Sequence, residues 1–320
     1  MGKLAFIFPG QASQYPGMGK ELAEKFPAAA RVFEEADAAL GFTISKLCFE
    51  GSEEALKQTE NTQPAILTVS VATFRVLDER GVTPDYVAGH SLGEYSALVA
   101  AGGLAFADAV RLVRNRGKYM QEAVPAGEGA MAAILGISSA QVEEICRKAS
   151  DAGEGKVSAA NLNSPDQTVI SGNAPAVKRA VEEASASGAK RAVILPVSAP
   201  FHCELMMPAQ LRLEKDLRAA KFNDLRVPLM NNADASLVTA AAEARDGLIR
   251  QVCMPVRWET SIRELINQGV TIFVEVGPGR VLSGLLRQID RSVHCFNVED
   301  EKSLNAALEK IAAARQETEG

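Results

Sequence analysis

Apolar and polar positions follow two patterns along the chain. Short apolar runs that end near glycine or proline are typical of buried strands, and they occur at residues 4–8, 86–88, 272–276 and 293–298. Longer stretches with apolar residues at helical spacing lie between them, among them residues 91–101 and 106–122. This alternation predicts an α/β fold in which helices cover a mostly parallel sheet, that is, a large doubly wound, α/β-hydrolase-like domain.

The order of elements changes between Gly127 and Pro200. The pattern there predicts a strand at 131–137, a helix at 139–150, strands at 157–162 and 168–171, a helix at 174–187 and a strand at 191–197. The order β-α-β-β-α-β is that of a ferredoxin-like unit. We therefore predict a small ferredoxin-like domain at residues 127–198, inserted into a large α/β catalytic domain formed by residues 1–126 and 199–320. A cleft between two such bodies is a common ligand site.

The amino-acid composition indicates a globular protein and argues against nucleic-acid and membrane partners. The 320 residues are 47% hydrophobic and 23% charged, which is typical of a globular protein with a packed core. Lys and Arg number 34 against 40 Asp and Glu, and a net charge of −6 argues against a nucleic-acid partner. The least charged segment, residues 95–107, is shorter than the ~18 apolar residues of a membrane span, so no membrane partner is expected.

Cysteine and histidine usage points to free thiols and away from a metal. The five cysteines are scattered and form no C-x-x-C pair, which fits a reducing compartment, so we expect a cytoplasmic protein. The three histidines are dispersed without the spacing of a zinc site, so no metal is expected.

The sequence Gly89-His90-Ser91-Leu92-Gly93 is the strongest chemical signal. It matches G-x-S-x-G between a predicted strand and a predicted helix, which is the context of a nucleophile elbow. The flanking glycines permit a tight turn, and the free N–H groups at the helix N-terminus can stabilise an oxyanion. The alternative is an ordinary N-cap serine at a glycine-rich turn.

A nucleophilic serine needs a base, and histidine is the usual one. In a sharp turn, adjacent side chains point in different directions. We therefore expect His90 to form a structural hydrogen bond and not to act as the base for Ser91. His294 lies inside an apolar run and is interpreted as a strand residue. His202 follows a predicted strand end and is the better base by elimination, although a core or surface histidine remains open. The acids from Glu94 to Glu183 lie mostly on polar helix faces or turns, which favours a Ser-His dyad without a carboxylate partner.

Further motifs accompany the elbow over nearly the whole chain. They are Phe8-Pro9-Gly10-Gln11-Ala12-Ser13-Gln14, Thr62-Gln63-Pro64-Ala65, Gly89-His90-Ser91-Leu92-Gly93-Glu94-Tyr95, Arg116-Gly117, Asn161-x-Asn163-Ser164-Pro165, Phe201-His202, Gln251 and Val276-Gly277-Pro278-Gly279. Together they resemble the malonyl-CoA:acyl carrier protein transacylases, the acyltransferase family of type II fatty acid synthesis. The resemblance implies ping-pong transfer of a malonyl group from malonyl-CoA to the phosphopantetheine thiol of acyl carrier protein, with both thioesters as substrates and no cofactor. We expect a monomer.

The resemblance also implies a role for individual residues. Ser91 would be the nucleophile, His202 the base, and the Gln251 backbone carbonyl would orient the imidazole. The N–H groups of Gln11 and Leu92 would form the oxyanion hole. The residues that would bind the acyl group are Arg116, which would hold the malonyl carboxylate, with Gln63, Phe201 and Asn161. A guanidinium suits that task because it binds a carboxylate bidentately. Without the family, Arg111, Arg114 and Arg116 would be interpreted as a solvated face.

Two features depart from the expectation. Ala12 stands where the family has glycine, and alanine is strained at positive φ, so either the loop has negative φ here or the oxyanion loop differs. The net charge is also negative for a protein that meets an acidic carrier. A local basic patch would resolve this, and the candidates are Lys190, Arg191, Arg280 and Arg287.

Two other functions remain open from the sequence. A serine thioesterase or hydrolase would use the same elbow and pass the acyl group to water. A non-catalytic module that binds acyl-CoA or the carrier protein would not need both Ser91 and His202.

Overall fold

The structure is a computed structural model that describes residues 2–197 and 199–317. Its strands are β1 (Lys3–Phe8), β2 (Tyr86–Gly89), β3 (Gly129–Leu135), β4 (Val157–Ser164), β5 (Gln167–Asn173), β6 (Arg191–Ile194), β7 (Leu229–Met230), β8 (Leu237–Val238), β9 (Val270–Val276) and β10 (His294–Val298). Its helices are α1 (Lys20–Lys25), α2 (Pro27–Leu40), α3 (Ile44–Glu50), α4 (Glu53–Lys57), α5 (Thr59–Glu79), α6 (Gly93–Ala100), α7 (Phe106–Glu122), α8 (Ser139–Asp151), α9 (Ala174–Ala186), α10 (Met207–Ala219), α11 (Ala241–Gln251), α12 (Trp258–Asn267), α13 (Val281–Ile289) and α14 (Glu301–Glu317).

The large sheet has the strand order β10-β9-β1-β2-β7-β8. Every neighbouring pair is parallel except β7 and β8. Successive side chains of β1 enter different cores: Leu4, Phe6 and Phe8 pack in one, and Ala5 and Ile7 pack in the other. Because both faces of the sheet are covered, the doubly wound α/β fold predicted from the sequence is confirmed.

The small sheet has the order β4-β5-β3-β6 and is antiparallel throughout. Helices α8 and α9 pack against it around a separate apolar core that includes Ile134, Val142 and Val177. This strand order and the connection β-α-β-β-α-β are those of the predicted ferredoxin-like unit. Its strands fall within the interval 127–198, but the domain boundaries themselves stay a prediction. Residues 1, 198 and 318–320 of the predicted domains lie outside the described residues.

Main-chain hydrogen bonds join the small sheet to the large body. The N–H of Leu162 in β4 donates to the Val256 carbonyl at 2.9 Å, and the N–H of Val256 donates to the Ala160 carbonyl at 2.8 Å. Val256 lies just before α12 of the large body. The edge strand of the small sheet is therefore fastened to the large body, and this contact fixes one side of the cleft between them.

Several element boundaries differ from the pattern-based prediction, most of them by one or two residues. Helix α6 begins at Gly93 and not at residue 91, because Ser91 has a φ of +52°, outside the helical region. Strand β6 ends at Ile194, three residues early. The C-terminal helix α14 begins at Glu301, next to Asp300, whose side chain accepts a hydrogen bond from the N–H of Ser303 at 2.7 Å.

Candidate active site

Ser91 lies in the sharp turn between β2 and α6. Its φ of +52° places the residue in the left-handed region, which a serine adopts only when its surroundings hold it there. A Cβ at Gly89 would overlap the Gly93 carbonyl group, and a Cβ at Gly93 would overlap the Phe8 carbonyl. The two glycines of the motif are therefore required by close backbone contacts with each other and with β1.

Ser91 and His202 are in hydrogen-bond contact. Ser91 Oγ lies 2.7 Å from His202 Nε2, and His202 Nδ1 donates to the Gln251 main-chain carbonyl at 2.9 Å. A hydrogen on Nδ1 leaves the Nε2 lone pair free to accept the serine hydroxyl proton. Burial and the nearby charge of Arg116 lower the pKa of His202 to about 3, so the imidazole is neutral near neutral pH. The pair has the geometry and the protonation state of a nucleophile and its base.

Arg116 is a buried cation beside the serine. Its side chain is 2% exposed, and its Nη2 donates to Ser91 Oγ at 3.0 Å and to Gln251 Oε1 at 3.0 Å, while Nη1 donates to Gln63 Oε1 at 2.8 Å. Within the part of the chain that the structure describes, no carboxylate forms an ion pair with it and its Nε has no hydrogen-bond partner. A buried guanidinium held by neutral groups is ready to bind an anion.

The neighbouring arginines of α7 differ from Arg116. Arg111 is exposed and donates to the Ala39 carbonyl, and Arg114 donates to the Glu60 carbonyl at 2.7 Å. The interpretation of all three as a solvated face, made without the family, is wrong for Arg116. Its side chain points inward to Gln63 and Ser91, which the spacing of charges alone does not reveal.

The two expected oxyanion-hole N–H groups are unoccupied by protein acceptors. Leu92 is the N-cap residue of α6, and Gln11 lies in the loop after β1; among the described residues, neither N–H has a hydrogen-bond acceptor. The Gln11 side chain donates to Thr59 Oγ1 at 3.3 Å. Ala12 has a φ of +85°, so the loop keeps a left-handed residue at this position despite the alanine side chain. The alternative of negative φ at Ala12 is therefore wrong.

A cavity of about 270 Å³ lies between the two bodies and opens onto Ser91. Of the nine predicted site residues, seven line it: Gln11, Gln63, Ser91, Arg116, Asn161, Phe201 and His202. Gln251 lies behind His202, and Leu92 lies at the start of α6. The rest of the lining is largely apolar and includes Met131 and Val169 of the small sheet. The cavity therefore suits a short acyl chain that ends in a charged group at Arg116.

Three polar residues near the serine were missed by sequence reasoning. Asn232 accepts a hydrogen bond from the Ser91 N–H at 2.7 Å and donates to the Gly89 carbonyl at 2.7 Å. Glu94 is buried behind the elbow. Asn163 Oδ1 lies 2.8 Å from His90 Nε2, which is the structural hydrogen bond expected for His90. Asn163 and Glu94 stand inside quoted motifs, but nothing in the sequence marks Asn232.

The described residues contain neither a candidate metal site nor a candidate membrane span. Across residues 2–197 and 199–317, no group of three or more His, Cys, Asp or Glu side chains could hold a metal ion. Over the same residues no helix has the length and apolar content of a membrane span. The five cysteines are free thiols.

Comparison with known proteins identifies the family. A model of the acyl transferase domain matches residues 5–307. The chain is 51% identical over 311 residues to the malonyl CoA-acyl carrier protein transacylase of Bacillus subtilis, covering 97% of this chain and 98% of the relative. The structure of the malonyl CoA-acyl carrier protein transacylase from Clostridium perfringens superposes with a TM-score of 0.95 at 43% identity, covering 99% of this chain and 100% of that one.

A further solved structure contains a carrier. It is a type II polyketide acyl carrier protein in complex with its malonyl-transacylase, which superposes with a TM-score of 0.93 at 45% identity, covering 96% of this chain and 99% of that one. The chain belongs to the acyl transferase family and, within it, to the malonyl CoA-acyl carrier protein transacylases.

Proposed function

We propose that the protein transfers a malonyl group from malonyl-CoA to the phosphopantetheine thiol of an acyl carrier protein, through a malonyl ester on Ser91. The observation that carries the proposal is the buried guanidinium of Arg116, whose Nη2 lies 3.0 Å from Ser91 Oγ. A cation this close to the nucleophile favours an acyl group with a carboxylate near its thioester carbonyl. The names of the relatives support the same donor and acceptor.

In the first half-reaction, Ser91 Oγ attacks the thioester carbonyl carbon while His202 Nε2 accepts the hydroxyl proton, a transfer for which the 2.7 Å contact is suited. The N–H groups of Gln11 and Leu92 would bind the oxyanion that forms. The carbon–sulfur bond then breaks, and the CoA sulfur takes the proton from His202. The products are a malonyl-serine ester, free CoA thiol and a neutral histidine.

The second half-reaction mirrors the first. The carrier thiol gives its proton to His202 Nε2, and its sulfur attacks the ester carbonyl. A new carbon–sulfur bond forms, the bond to Ser91 Oγ breaks, and the serine regains the proton. The Gln251 carbonyl, which accepts from Nδ1 at 2.9 Å, would keep the imidazole in one orientation through both halves.

Selectivity would come mainly from charge. Gln63 and Gln251 hold the two arms of Arg116 at 2.8 and 3.0 Å, so the cation cannot move away when the substrate lacks a carboxylate. Leaving it unpaired beside an acetyl group costs several kcal/mol relative to malonyl. Phe201 and Asn161 line the same cavity, and a 2-methyl group against Phe201 would add a weaker discrimination of about 1–3 kcal/mol.

We further propose that transfer needs no cofactor, because Ser91, His202 and Arg116 supply the nucleophile, the base and the carboxylate site. CoA and phosphopantetheine thioesters enter as substrates only. Five free thiols support a cytoplasmic location. A monomer is the proposed state, and the cavity is lined without a contribution from a second copy.

Mass spectrometry of the intact protein after exposure to labelled malonyl-CoA tests the proposal. We expect a malonyl adduct on Ser91 that disappears when holo carrier protein is added, and no adduct on Ser91→Ala. Rapid release of the label without carrier would indicate a hydrolase, and a wild-type protein without any adduct would indicate a binding module. Either result would overturn the proposal.

Replacing His202 by alanine tests the base. Without Nε2 to accept the proton, the rate of Ser91 acylation near neutral pH should fall on the order of 100-fold or more. The rate is measured by quenching malonyl-CoA reactions and quantifying the adduct. Acylation at nearly the wild-type rate would place the base elsewhere.

A further inference from the structure

Glu94 is a fully buried carboxyl group at the back of the elbow. Its side chain is 0% exposed, and Oε2 accepts two hydrogen bonds, from the N–H of Asn232 at 3.0 Å and from Gln251 Nε2 at 2.8 Å. Its other oxygen, Oε1, has no hydrogen-bond partner among the described residues. Burying a carboxyl group with one oxygen unsatisfied costs stability, so this arrangement requires an explanation.

The two donors to Glu94 are the residues that hold the reacting groups. Asn232 accepts from the Ser91 N–H at 2.7 Å, and Gln251 accepts from His202 Nδ1 at 2.9 Å through its carbonyl. The Gln251 side chain also donates to the Ser91 carbonyl at 2.9 Å. Glu94 is therefore one hydrogen bond removed from the supports of both the serine and the histidine.

The Gln251 amide also lies between two charges. Its oxygen accepts from Arg116 Nη2 at 3.0 Å, and its nitrogen donates to Glu94 Oε2 at 2.8 Å. The carboxylate thus sets the orientation of the amide, because a flipped amide would place its NH2 group against the guanidinium. A negative charge on Glu94 partly offsets the positive charge beside the serine without occupying the carboxylate site of Arg116.

We propose that Glu94 is a positioning residue for acyl transfer: it fixes Ser91 and His202 through Asn232 and Gln251, and its negative charge makes the proton on His202 easier to accommodate next to Arg116. This inference rests on the proposed function. It also supplies the carboxylate that a Ser-His pair ordinarily has, at one residue's remove from the imidazole.

The charge of Glu94 depends on pH. Burial raises its pKa to about 7, against the hydrogen bonds from Gln251 and Asn232 and the charge of Arg116 on α7. Asp234 raises the pKa of Glu94 further, and Glu94 in turn interacts with Arg250 of α11. The carboxyl is ionised above this pH and protonated below it.

His202 does not titrate in the same range, because its pKa is lowered to about 3. We therefore expect the rate of Ser91 malonylation to rise with pH around 7 and to reach a plateau above it. This rise follows the ionisation of Glu94.

The test compares Glu94→Gln with the wild type. A glutamine keeps one oxygen that can accept both hydrogen bonds but carries no charge. We expect the saturating rate of Ser91 malonylation above pH 7 to fall about tenfold, which corresponds to a loss of about 1.4 kcal/mol in the stabilisation of the proton that moves to His202. The KM for malonyl-CoA should stay equal or fall, because Arg116 is less offset, and the rise of the rate around pH 7 should vanish.

Asp37→Asn is the matched control. Asp37 accepts hydrogen bonds from the Ser45 N–H at 2.9 Å and from the Ser45 hydroxyl, and it lies on α2, outside the cavity. This variant removes one negative charge and keeps an acceptor, as Glu94→Gln does. It should retain the wild-type rate, KM and pH profile.

Three results would overturn the inference. A Glu94→Gln protein with the wild-type rate and pH profile would show that the carboxylate is idle. A lower rate with a higher KM and an unchanged pH profile would show a purely structural role. Absence of malonylation in the wild type would contradict the proposed function and, with it, the inference.

A second variant covers the case in which Glu94→Gln fails to fold, as judged by its melting curve. Glu94→Asp should then fold and keep the pH-dependent rise at a lower rate. Loss of that rise would contradict the charge role.

Discussion

Three non-glycine residues around the site have left-handed backbone. They are Ala12 with a φ of +85°, Ser91 with +52° and His202 with +59°. Each of these conformations costs about 1–2 kcal/mol for an L-residue. At Ser91 and His202 the strain accompanies the side-chain geometry of the reacting pair, which is held by Asn232 and Gln251. At Ala12 the strained backbone positions no reacting side chain, because the alanine side chain is exposed.

Ala12→Gly should therefore stabilise the protein. Glycine adopts positive φ without a Cβ penalty, and part of the gain is lost to the greater freedom of the unfolded chain, so we expect a free energy of unfolding higher by about 1 kcal/mol. The measurement is urea unfolding followed by circular dichroism. Ala38→Gly, an exposed position in α2, is the control and should lower the free energy of unfolding by about 1 kcal/mol. A destabilised Ala12→Gly protein would contradict the assignment of strain.

The sequence identifies a candidate residue where a local motif surrounds it or where few residues of its type exist. Ser91 stands in a five-residue motif, and His202 is one of only three histidines. The structure brings both together with Gln251 and Arg116. Their roles remain proposals until tested. Asn232 could not be found, because its contact with Ser91 joins residues 141 positions apart and depends on how the short strand β7 pairs with β2.

Helix α7 carries Arg116 into the site through a close contact with α5. A Cβ at Gly117 would lie 2.7 Å from the Cα of Glu60 and 2.7 Å from the Thr59 carbonyl oxygen, both of them backbone atoms that cannot move aside. The start of α5 also carries Gln63, which accepts from Arg116. The distance between these two helices therefore sets the position of the guanidinium.

Gly117→Ala tests this helix contact. The added methyl group should push α7 away from α5, lowering the free energy of unfolding by about 1–3 kcal/mol and reducing the rate of malonyl transfer. Urea unfolding and a steady-state transfer assay measure the two effects. Gly284→Ala in α13 is the control, because among the described residues no atom beyond the adjacent residues and the backbone of its own helix lies within 4 Å of its added Cβ, and it should be neutral or stabilising. Wild-type stability and transfer rate in Gly117→Ala would refute the role of this contact.

The sequence pattern predicted helices and strands correctly where the element has one buried face and one exposed face. Helix α7 runs over Phe106–Glu122 as its spacing indicated, and the strands other than β7 and β8 lie close to where the pattern predicted them. Helix α5 was missed because it is buried on nearly its whole circumference, so no helical period of apolar and polar residues is visible. Strands β7 and β8 have two residues each, which is too short for any pattern.

The cavity that opens onto Ser91 lies between a large and a small body, and the net charge of the protein is −6. An acidic carrier would be repelled unless basic residues lie at the mouth. Of the candidates Lys190, Arg191, Arg280 and Arg287, Arg280 directly precedes Val281 and Leu282, which line the cavity. Arg280 pairs with Glu299 at 3.3 Å and its side chain is 67% exposed, so it is available to a partner.

Arg280→Glu should weaken the use of the carrier protein and spare the chemistry. We expect the KM for holo carrier protein to rise about tenfold at low salt. The rate of transfer to free pantetheine should stay unchanged, because pantetheine carries no protein that could contact Arg280. Arg218→Glu is the control, because this exposed arginine pairs with Glu214 and lies outside the cavity. An unchanged KM in Arg280→Glu would remove this residue from the docking face.

The central claim is that a fixed guanidinium beside Ser91 selects a carboxylated acyl group. Its most direct test is the ratio of Ser91 acylation rates with malonyl-CoA and acetyl-CoA, measured by quenched flow in the wild type and in Arg116→Ala, with Arg114→Ala on the same helix as control. We predict that the ratio falls on the order of 100-fold or more in Arg116→Ala, through loss of malonyl and retained or increased acetyl acylation, and is unchanged in Arg114→Ala. Equal losses with both substrates in Arg116→Ala would contradict the account.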